Sequence, residues 1–430
     1  MINIVISDIP KYLKKEVLLK GWVFNVRSSG SVFFLQFRDG SGRLQAIVSK
    51  KEVPAQIWEA CEKLTGESSV ELSGTVKEEP RSPYGYEMAV KSLKIIHIAD
   101  SYPISKKEHG TEFLMDNRHL WLRSPRQIAI LKVRDEVIWQ MRKFFKDKGF
   151  ILTDSPILTP TSCEGTTTLF KTDYFDTQAY LAQTGQLYIE ATAAALGRVY
   201  DFGPTFRAEK SKTRRHLTEF WMLDAEAAFV EFEENLNIQE ELVSYVVQNV
   251  LIEKKDELEL LERDTAILKK VKPPFHRMKY SEAVTKLQKA GYEISENDDL
   301  GGDEETALSK DLDKPVFITH YPSKIKSFYM KPDPENPNLV LNNDMIAPEG
   351  YGELVGGSQR IDDLATLEKK LKEFKLPRKD FEWYLDLRRY GSFPHSGFGI
   401  GLERTVGWIC GVKHVRETIP FPRLINRLNP

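Results

Sequence analysis

The densest group of residues that could do chemistry lies between residues 202 and 226. Arg207 and Glu209 are two positions apart in one predicted strand, and Phe220 and Asp224 are four positions apart in the next. Because side chains alternate across a strand, the two members of each pair share a face. An arginine beside a carboxylate and a ring predicts a clamp for a phosphate group next to a flat stacking surface.

The loop that joins these two strands is strongly basic. Residues 210–216, which we call the basic loop, carry five basic side chains when His216 is counted. A lone basic run is usually a solvated surface loop. Here it connects two strands whose reactive side chains face one way, so the pattern favours a phosphate-binding site over an exposed hairpin.

A second group places alternating glycines before an arginine. Gly397, Gly399 and Gly401 leave one face of a predicted strand without side chains, and Arg404 falls in the first turn of a helix that runs towards Gly411. A bare strand face admits a planar ligand, and a helix N-terminus with an arginine attracts phosphate. The spacing fits neither the dinucleotide-binding fingerprint nor the Walker loop. The group therefore gains weight only beside the first one.

Two acids in a third group could hold a metal ion. Asp344 and Glu353 precede a Gly-Gly pair and Arg360. Mg²⁺ binds few protein carboxylates and leaves coordination positions for phosphate oxygens. Alone, the segment would be read as a surface loop with ordinary acids. Near phosphate-binding arginines it predicts a magnesium site.

The elements that must position these residues begin with a β-rich part. Residues 1–100 read as five short strands with Asp-Gly and Ser-Gly turns over 39–42 and one short helix over 51–65. This pattern fits a small β-barrel of the oligonucleotide-binding (OB) type, with a small β-sandwich as the alternative. Residues 101–125 read as a polar connector.

Helices and strands alternate in the rest of the chain. Apolar spacing predicts one long helix over 127–148, capped by Gly149 in a left-handed conformation, and another over 235–254. Residues 265–340 read as an insertion, within which the acidic residues 297–314 predict a surface loop. Whether this insertion contacts nucleic acid stays open.

Composition excludes several classes of protein. The chain has 430 residues, of which 41% are hydrophobic, which is enough for a large core. Its mean hydropathy is −0.39, and no apolar run approaches the roughly 20 residues that span a bilayer. The N-terminus has no basic segment typical of a secretory signal, and three scattered cysteines fit a reducing compartment. We therefore expect a cytoplasmic protein. Its net charge of −2 means that any nucleic acid must bind a local basic surface.

Taken together, these segments resemble the signature motifs of the class II aminoacyl-tRNA synthetases, in the subclass of aspartyl, asparaginyl and lysyl enzymes. Phe-Arg-Ala-Glu at 206–209 looks like motif two, and Gly-Phe-Gly-Ile-Gly-Leu-Glu-Arg at 397–404 looks like motif three. The helix that leads into 149–156 looks like motif one. In the family, motif one builds a homodimer interface around the proline that matches Pro156. The pair of motifs two and three in this order is highly specific.

The resemblance covers essentially the whole chain and implies an α+β fold. It assigns residues 1–100 to an OB-fold anticodon-binding domain and 101–125 to a hinge. Residues 126–430 would form the class II catalytic domain, an antiparallel sheet flanked by helices, with the insertion at 265–340.

The family pattern also implies roles around ATP. Arg207 would bind the α-phosphate, Glu209 would meet the adenine amino group, and Phe220 would stack under the adenine. His216 and Arg404 would bind the γ-phosphate, while Glu353 and Asp344 would ligate Mg²⁺. The interval between Asp344 and Glu353 is slightly longer than in aspartyl enzymes. Arg207, Arg404 and Glu353 are the expected catalytic residues.

Further residues would bind the amino acid and the anticodon. By the same resemblance Asp224 would bind the α-amino group of the substrate, and its remaining groups would be surrounded by Glu164, Gln186 and Arg360. In the barrel, Phe34 and Gln45 match the positions that stack on and read the central anticodon uridine, with Arg27 as a further contact. A ring among basic and amide side chains on an OB surface suits single-stranded RNA.

One position separates asparagine from aspartate. Aspartyl enzymes carry Gln-Ser-Pro-Gln-x-x-Lys, whose lysine pairs with the substrate carboxylate, whereas this chain has Ile189 in place of that lysine. Without the ammonium a bound aspartate is poorly compensated, and an acid at Glu190 acts in the same direction if it faces the pocket. The resemblance therefore implies ligation of L-asparagine to tRNA(Asn) through an asparaginyl-adenylate.

Three alternatives remain open. The first is an aspartyl enzyme that does not discriminate between the two amino acids. The second is a paralogue that makes free asparagine on the same catalytic core, although such a reaction needs no anticodon-binding barrel. The third is a catalytically silent RNA-binding protein that uses the barrel alone.

Overall fold

The computed structural model describes residues 2–105, 107–160, 163 and 169–430. The chain divides into two compact units, Met1–Gly110 and Thr111–Pro430. No helix in the described ranges is both long enough and apolar enough to cross a membrane.

The first unit is built mainly of strands. Its elements are β1 (Ile2–Asn3), β2 (Glu16–Ser29), β3 (Val32–Arg38), β4 (Arg43–Ser49), α1 (Ala55–Lys63), β5 (Ser68–Glu78) and β6 (Tyr86–His97), with a 3-10 helix over Ile6–Tyr12. The order β2-β3-β4-β6-β5 closes through a β2–β5 pairing, and β1 adds to β2 in parallel. This closed barrel confirms the predicted OB-type fold.

Two glycines allow the barrel strands to pack closely. A Cβ atom on Gly21 would lie 2.1 Å from the carbonyl oxygen of Arg38, and one on Gly74 would lie 2.0 Å from that of Ala89. Alternate residues of β3 and β4, such as Leu35 and Leu44, fill the core. The intervening side chains therefore lie on the outer surface.

The second unit contains the remaining helices and strands. Up to residue 228 these are α2 (Thr111–Asp116), α3 (Arg118–Trp121), α4 (Pro125–Asp147), β7 (Ile151–Leu152), β8 (Leu158–Thr159), β9 (Lys171–Tyr174), β10 (Thr177–Leu181), α5 (Gln186–Leu196), β11 (Arg198–Phe206) and β12 (Glu219–Ala228). After them come α6 (Phe232–Glu253), α7 (Lys255–Leu260), β13 (His276–Lys279), α8 (Tyr280–Lys289), α9 (Gly302–Ser309), β14 (Val316–Thr319), β15 (Asn342–Ala347), β16 (Gly352–Gln359), α10 (Leu364–Glu373), α11 (Glu382–Arg389), β17 (His395–Gly401) and α12 (Leu402–Cys410). Short 3-10 helices occupy Leu268–Lys270, Arg378–Phe381 and Val415–Glu417.

A large sheet organises this unit. Its order is β13-β14-β15-β16-β17-β12-β11-β7. Strands β14 to β11 in this order pair antiparallel, while β13–β14 and β11–β7 pair in parallel at the two ends. The predicted antiparallel sheet with flanking helices is thus confirmed for its centre, and the sheet is mixed at its ends.

One face of the sheet packs against helices. Leu223 of β12 and Phe398 of β17 join side chains of α4, α6 and α12 in the main hydrophobic core. Helix α4 begins at Pro125, slightly before the predicted start at residue 127. The reason is that Ser124 caps the helix by accepting a hydrogen bond from the Gln127 amide at 3.3 Å, and Pro125 lies in the first turn. Gly149 has φ +78°, as predicted for the left-handed residue after α4.

Part of the segment predicted as a hinge folds as part of the second unit. Residues 111–125 belong to the second unit, in α2, α3 and the start of α4. The fully buried Arg118 donates hydrogen bonds to the carbonyl oxygens of Ile419 and Pro420, each at 2.8 Å. The composition of this segment is typical of a linker and gives no sign of these contacts, which join residues some 300 positions apart.

Residues 297–314 lie mostly at the surface, as predicted, but they do not form a loop throughout. Part of this segment forms α9, and Leu308 packs in a smaller core with Tyr280 and Ile318. Three acids lie in the first turn of this helix, where their negative charges interact favourably with the positive end of the helix dipole. The segment reaches the site described next.

Candidate active site

A cleft of about 1240 Å³ opens on the sheet face opposite the main core. It brings together every described residue of the second unit that the sequence assigned to a site. These residues are Gln186, Arg207, Glu209, His216, Phe220, Asp224, Asp344, Glu353, Arg360 and Arg404. Glu164 lies outside the described residues.

Residue parity on β12 and β17 explains why the site lies on this face. Leu223 and Ala225 point into the core, so Asp224 points the other way. Opposite them, a Cβ atom on Gly399 would lie 2.5 Å from Asp224 Oδ1, and one on Gly397 would lie 2.0 Å from Glu226 Oε2. The glycines were predicted to leave room for a planar ligand. At these two positions they instead leave room for carboxylates of the neighbouring strand.

Arg207 was predicted to lie within a strand, but in the structure it follows the end of that strand. Strand β11 ends at Phe206, although the amide of Arg207 still donates to the carbonyl of Thr218 at 3.0 Å. The Arg207 guanidinium lies over the Phe220 ring, 5.5 Å from its centroid. Its Nε is buried without a hydrogen-bond partner in the described part of the chain. A buried donor that faces a cleft without a partner is suited to an anionic ligand.

His216 sits between charges of both signs. Its Nε2 is 3.7 Å from Glu209 Oε2, and its Nδ1 contacts the Thr213 hydroxyl. Burial and the nearby Arg404 lower the pKa of His216, against the opposing effect of Glu209. The imidazole is therefore mainly neutral at pH 7 and can donate one hydrogen bond to a ligand.

The two predicted metal ligands lie on neighbouring strands. Glu353 Oε2 accepts from Arg404 at 3.1 Å, and Asp344 Oδ2 accepts from Lys326 at 2.8 Å. A Cβ atom on Gly356 would lie 3.0 Å from Glu353 Oε1 and 3.9 Å from Asp344 Oδ1. Each carboxylate thus keeps one oxygen directed at the bare backbone of this glycine.

Their titration reflects this crowding. Burial, together with the Glu353 carboxylate, raises the pKa of Asp344 to about 6, although Lys326 opposes the shift. Burial acts against ionisation of Glu353 too, but Arg404 and Lys326 outweigh it and lower its pKa. A cation between the two carboxylates would favour the charged form of both.

The amino-acid end of the cleft is built from β12 and the start of α5. Asp224 Oδ2 accepts hydrogen bonds from the Thr184 hydroxyl at 2.5 Å and the Gly185 amide at 2.9 Å. Burial raises the pKa of Asp224, and these two donors counteract the rise. The carboxylate is held in one orientation with Oδ1 towards the cleft face of Gly399. It is suited to an ammonium group.

An ion pair lies at the far end of this pocket. Arg360 donates from Nη2 and Nε to Glu226 at 3.0 and 3.2 Å, and from Nη1 to the Ser358 hydroxyl at 2.7 Å. Both charged side chains are almost fully buried. Burial opposes the charge on Arg360, but Glu226 and Glu190 outweigh it and raise its pKa.

Glu190 forms a second buried layer behind the cleft. Its carboxylate accepts hydrogen bonds from Arg388 at 2.7 Å, from the Tyr384 hydroxyl at 2.8 Å and from Gln186 at 3.2 Å, and it lies 3.0 Å from His395 Nε2. Burial would raise its pKa, but Arg388 and His395 lower it below the usual range. Glu190 therefore stays charged and acts on the pocket through Gln186 rather than by facing it.

Ile189 does not face the cleft. It packs against Ala193 and Val199 in a small core under α5 and is almost fully buried. The isoleucine side chain therefore does not line the pocket.

Sequence reasoning missed several residues that shape the site. Lys326 and Tyr384 are far from the motifs in sequence, and an isolated lysine in a loop reads as exposed. Glu305 was read as part of a surface loop because it follows two other acids. Its burial, with the nearby Glu353, raises its pKa to about 7. For each of these residues, the role in the site follows from tertiary contacts, which the spacing of residues in the sequence does not reveal.

The first unit carries its own candidate surface. Arg27 of β2 pairs with Phe34 of β3, and Gln36 of β3 pairs with Gln45 of β4. Because Leu35 and its neighbours on alternate positions are buried, these side chains lie on the outer face of the barrel. Gln45 donates to Glu87 at 2.8 Å, which fixes its amide. The three predicted anticodon residues are thus brought to one surface.

Comparison with known proteins agrees with both units. A family model described as class II tRNA synthetases (D, K and N) matches residues 110–425, and one described as an OB-fold nucleic acid binding domain matches residues 17–96. An asparagine–tRNA ligase of Pelotomaculum thermopropionicum is 57% identical over 430 residues and all of both chains. One from Desulforamulus reducens is 57% identical over 426 residues, which cover 99% of each chain.

A solved structure shares the whole architecture. The asparaginyl-tRNA synthetase of Pyrococcus horikoshii, complexed with asparaginyl-adenylate, superposes with a TM-score of 0.96 at 45% identity, over 99% of each chain. With the full-length identity to curated ligases, these matches lead to one assignment. The chain belongs to the class II aminoacyl-tRNA synthetases of the aspartyl, lysyl and asparaginyl group, and within that group to the asparaginyl-tRNA synthetases.

Proposed function

We propose that this protein ligates L-asparagine to tRNA(Asn) through an asparaginyl-adenylate, with release of pyrophosphate and AMP. The observation that carries the proposal is the Arg207 guanidinium, held over Phe220 in the cleft with a buried Nε that has no partner in the described residues. The asparagine carboxylate would attack the α-phosphorus of ATP, and the terminal 3′-hydroxyl of the tRNA would then attack the mixed anhydride. No side chain needs to become covalently attached.

In this proposal the cleft works by positioning and by stabilising charge. Arg207 would bind the α-phosphate, whose equatorial oxygens gain negative charge in the transition state. Glu209 would meet the adenine amino group, with the ring stacked on Phe220. His216 and Arg404 would bind the γ-phosphate.

The amino acid would lie beyond the phosphates. Asp224 would bind its α-amino group, with Gln186 and Arg360 around the rest and Glu164 as an expected further contact. Arg360 is already paired with Glu226, so a neutral amide side chain meets a balanced pocket. An aspartate carboxylate would add an uncompensated buried charge, which costs several kcal/mol.

The residues also fit a magnesium ion. Glu353 and Asp344 direct one oxygen each towards the bare Gly356, and hard oxygen ligands beside a phosphate site suit Mg²⁺. When bound, the ion would neutralise charge on the phosphate oxygens. Lys326 holds the other oxygen of Asp344 and so keeps that carboxylate in place.

Arg207→Ala tests the nucleotide assignment. We expect asparagine-dependent ATP–pyrophosphate exchange to fall by about 100- to 1000-fold, the effect of removing one donor to a developing anionic oxygen. Thermal unfolding should stay close to that of the wild type, since Nε has no hydrogen-bond partner to lose among the described residues. Arg207→Lys, which keeps the charge but not the planar fork, should recover only part of the rate. Near-normal exchange by the alanine variant would refute the role.

The barrel surface with Arg27, Phe34 and Gln45 is proposed to bind the anticodon. A ring flanked by a basic and an amide side chain supports stacking and reading of an unpaired base.

Phe34→Ala separates this role from adenylate formation. Loss of a stacked base should raise the KM for tRNA(Asn) by roughly tenfold or more, while pyrophosphate exchange stays unchanged. Ile96→Ala, at an exposed apolar position of β6, is the matched control and should change neither reaction. An equal fall in both half-reactions of Phe34→Ala would mean that the barrel does not read the anticodon.

A homodimer through motif one, around Pro156, is also proposed. Ile151 and Leu152 on the terminal strand β7 are exposed, and so are Ile157 and Leu158 beyond the proline. A run of exposed apolar side chains on a sheet edge is typical of an interface.

Ile157→Asp should therefore yield a monomer, as measured by sedimentation at micromolar concentration. Ile252→Asp, at an even more exposed isoleucine on α6, should leave a dimer. A monomeric wild-type protein, or the same state for both variants, would contradict this interface.

Two points of the proposal rest on chemistry outside the cleft. A paralogue that makes free asparagine has no use for a barrel with an RNA-binding surface, which favours the ligase. A cytoplasmic location stays a prediction, supported by Cys61 and Cys410, which are buried free thiols.

A further inference from the structure

The insertion at 265–340 touches the active-site cleft through α9. Contact is made by Arg215, a residue of the basic loop. Its Nη1 donates to the Gly302 carbonyl at 2.9 Å and to Glu305 Oε2 at 3.0 Å. Its Nη2 donates to the Thr306 hydroxyl at 2.5 Å and to the Gly350 carbonyl at 2.6 Å. One guanidinium thus joins the basic loop, the start of α9 and the turn before β16.

Arg215 differs from the other cations of its loop. Its side chain is 10% exposed, whereas Lys210, Lys212 and Arg214 are exposed. Because both terminal nitrogens are used by the protein, Arg215 has no free fork with which to bind a phosphate group. The role of Arg215 therefore follows from the protein segments that its hydrogen bonds connect.

Two glycines leave space for this ion pair. A Cβ atom on Gly352 would lie 2.5 Å from Glu305 Oε2 and 2.8 Å from Arg215 Nη1, and one on Gly302 would lie 3.1 Å from the same nitrogen. Gly352 also has φ +86°, a conformation that favours glycine. The ion pair therefore packs directly against the backbone at two glycines.

The contact continues to the residues assigned to ATP. Glu305 Oε2 also accepts the backbone amide of Glu353 at 3.1 Å, and the Glu353 carboxylate accepts from Arg404 at 3.1 Å. On the other side, Arg215 is followed directly by His216. His216 and Arg404, the two side chains assigned to the γ-phosphate, are thus connected to the same arginine–glutamate pair.

We propose that Arg215 and α9 form a latch that holds the basic loop in its nucleotide-binding position, with Arg215 as a positioning residue. This inference rests on the proposed function. A loop of seven mostly polar residues that is not anchored must lose conformational freedom each time ATP binds. The latch removes that cost in advance, and it gives the insertion a role within this chain. Its effect should fall on ATP and not on asparagine, because the amino-acid pocket is held separately by Asp224 and Arg360.

The test compares Arg215→Lys, Glu305→Gln and Thr306→Val. Arg215→Lys should raise the KM for ATP in the exchange reaction by about tenfold, which is the effect of a lost hydrogen bond to a charged group. Glu305→Gln should act similarly, and Thr306→Val, which removes one acceptor, should raise it by about two- to fivefold. The KM for asparagine and kcat should stay within about twofold. Because these variants share one contact, Arg215→Lys with Glu305→Gln should cost no more than the larger single change.

Arg277→Lys is the matched control. Arg277 also joins two elements, with hydrogen bonds to Glu233 at 2.6 Å and Asn237 at 3.1 Å, but it does not line the cleft. This variant should leave both KM values unchanged.

ATP affinity is measured by calorimetry in parallel, so the latch is tested without relying on turnover. Absence of exchange by the wild type would contradict the proposed function, while calorimetry would still decide the latch. Unchanged ATP affinity in Thr306→Val and Arg215→Lys would overturn the inference. Equal rises in both KM values, the same rise in Arg277→Lys, or losses that multiply in the double variant would overturn it too.

Discussion

The site depends on a buried set of charges that balance one another. Glu226 pairs with Arg360, and behind them Glu190 pairs with Arg388. Each of these ions would cost several kcal/mol to bury alone. They are stable in the interior because every carboxylate meets a guanidinium at hydrogen-bond distance. Glu190 also lies 3.0 Å from His395 Nε2, and His395 Nδ1 lies 2.9 Å from the carbonyl oxygen of Phe393. Among the described residues, Arg360 and Arg388 are thus each matched by one glutamate before an amino acid binds.

The sheet makes this arrangement possible. Strands β12, β16 and β17 lie side by side, and their apolar side chains fill the main core on one face. The opposite face is left for Asp224, Glu226 and Arg360. Gly397 and Gly399 have no side chains, so the neighbouring carboxylates occupy that space. Strand β17, which contains both glycines, leads directly into α12, and Arg404 in the first turn of α12 lies at the phosphate end of the cleft. One strand therefore serves both ends of the cleft.

Local pattern was enough to find the residues that follow a strand or begin a helix. The spacing of Phe220 and Asp224, the helix after Gly401 and the left-handed Gly149 depend only on neighbours in sequence, and each was predictable. Contacts between distant segments were not. The pairing of Arg215 with α9 and the burial of Glu190 behind Gln186 depend on how elements pack. Composition was only a partial guide for 297–314, because clustered acids usually mark a solvated surface, whereas Glu305 is largely buried beside Arg215.

The most direct measurement is ATP–pyrophosphate exchange with asparagine and aspartate under identical conditions. Because Arg360 and Arg388 are already paired with glutamates, aspartate must bring a poorly compensated buried carboxylate, and a tenfold change in rate corresponds to about 1.4 kcal/mol. We expect kcat/KM for asparagine to exceed that for aspartate by at least about 100-fold. Comparable values for the two amino acids would contradict the account.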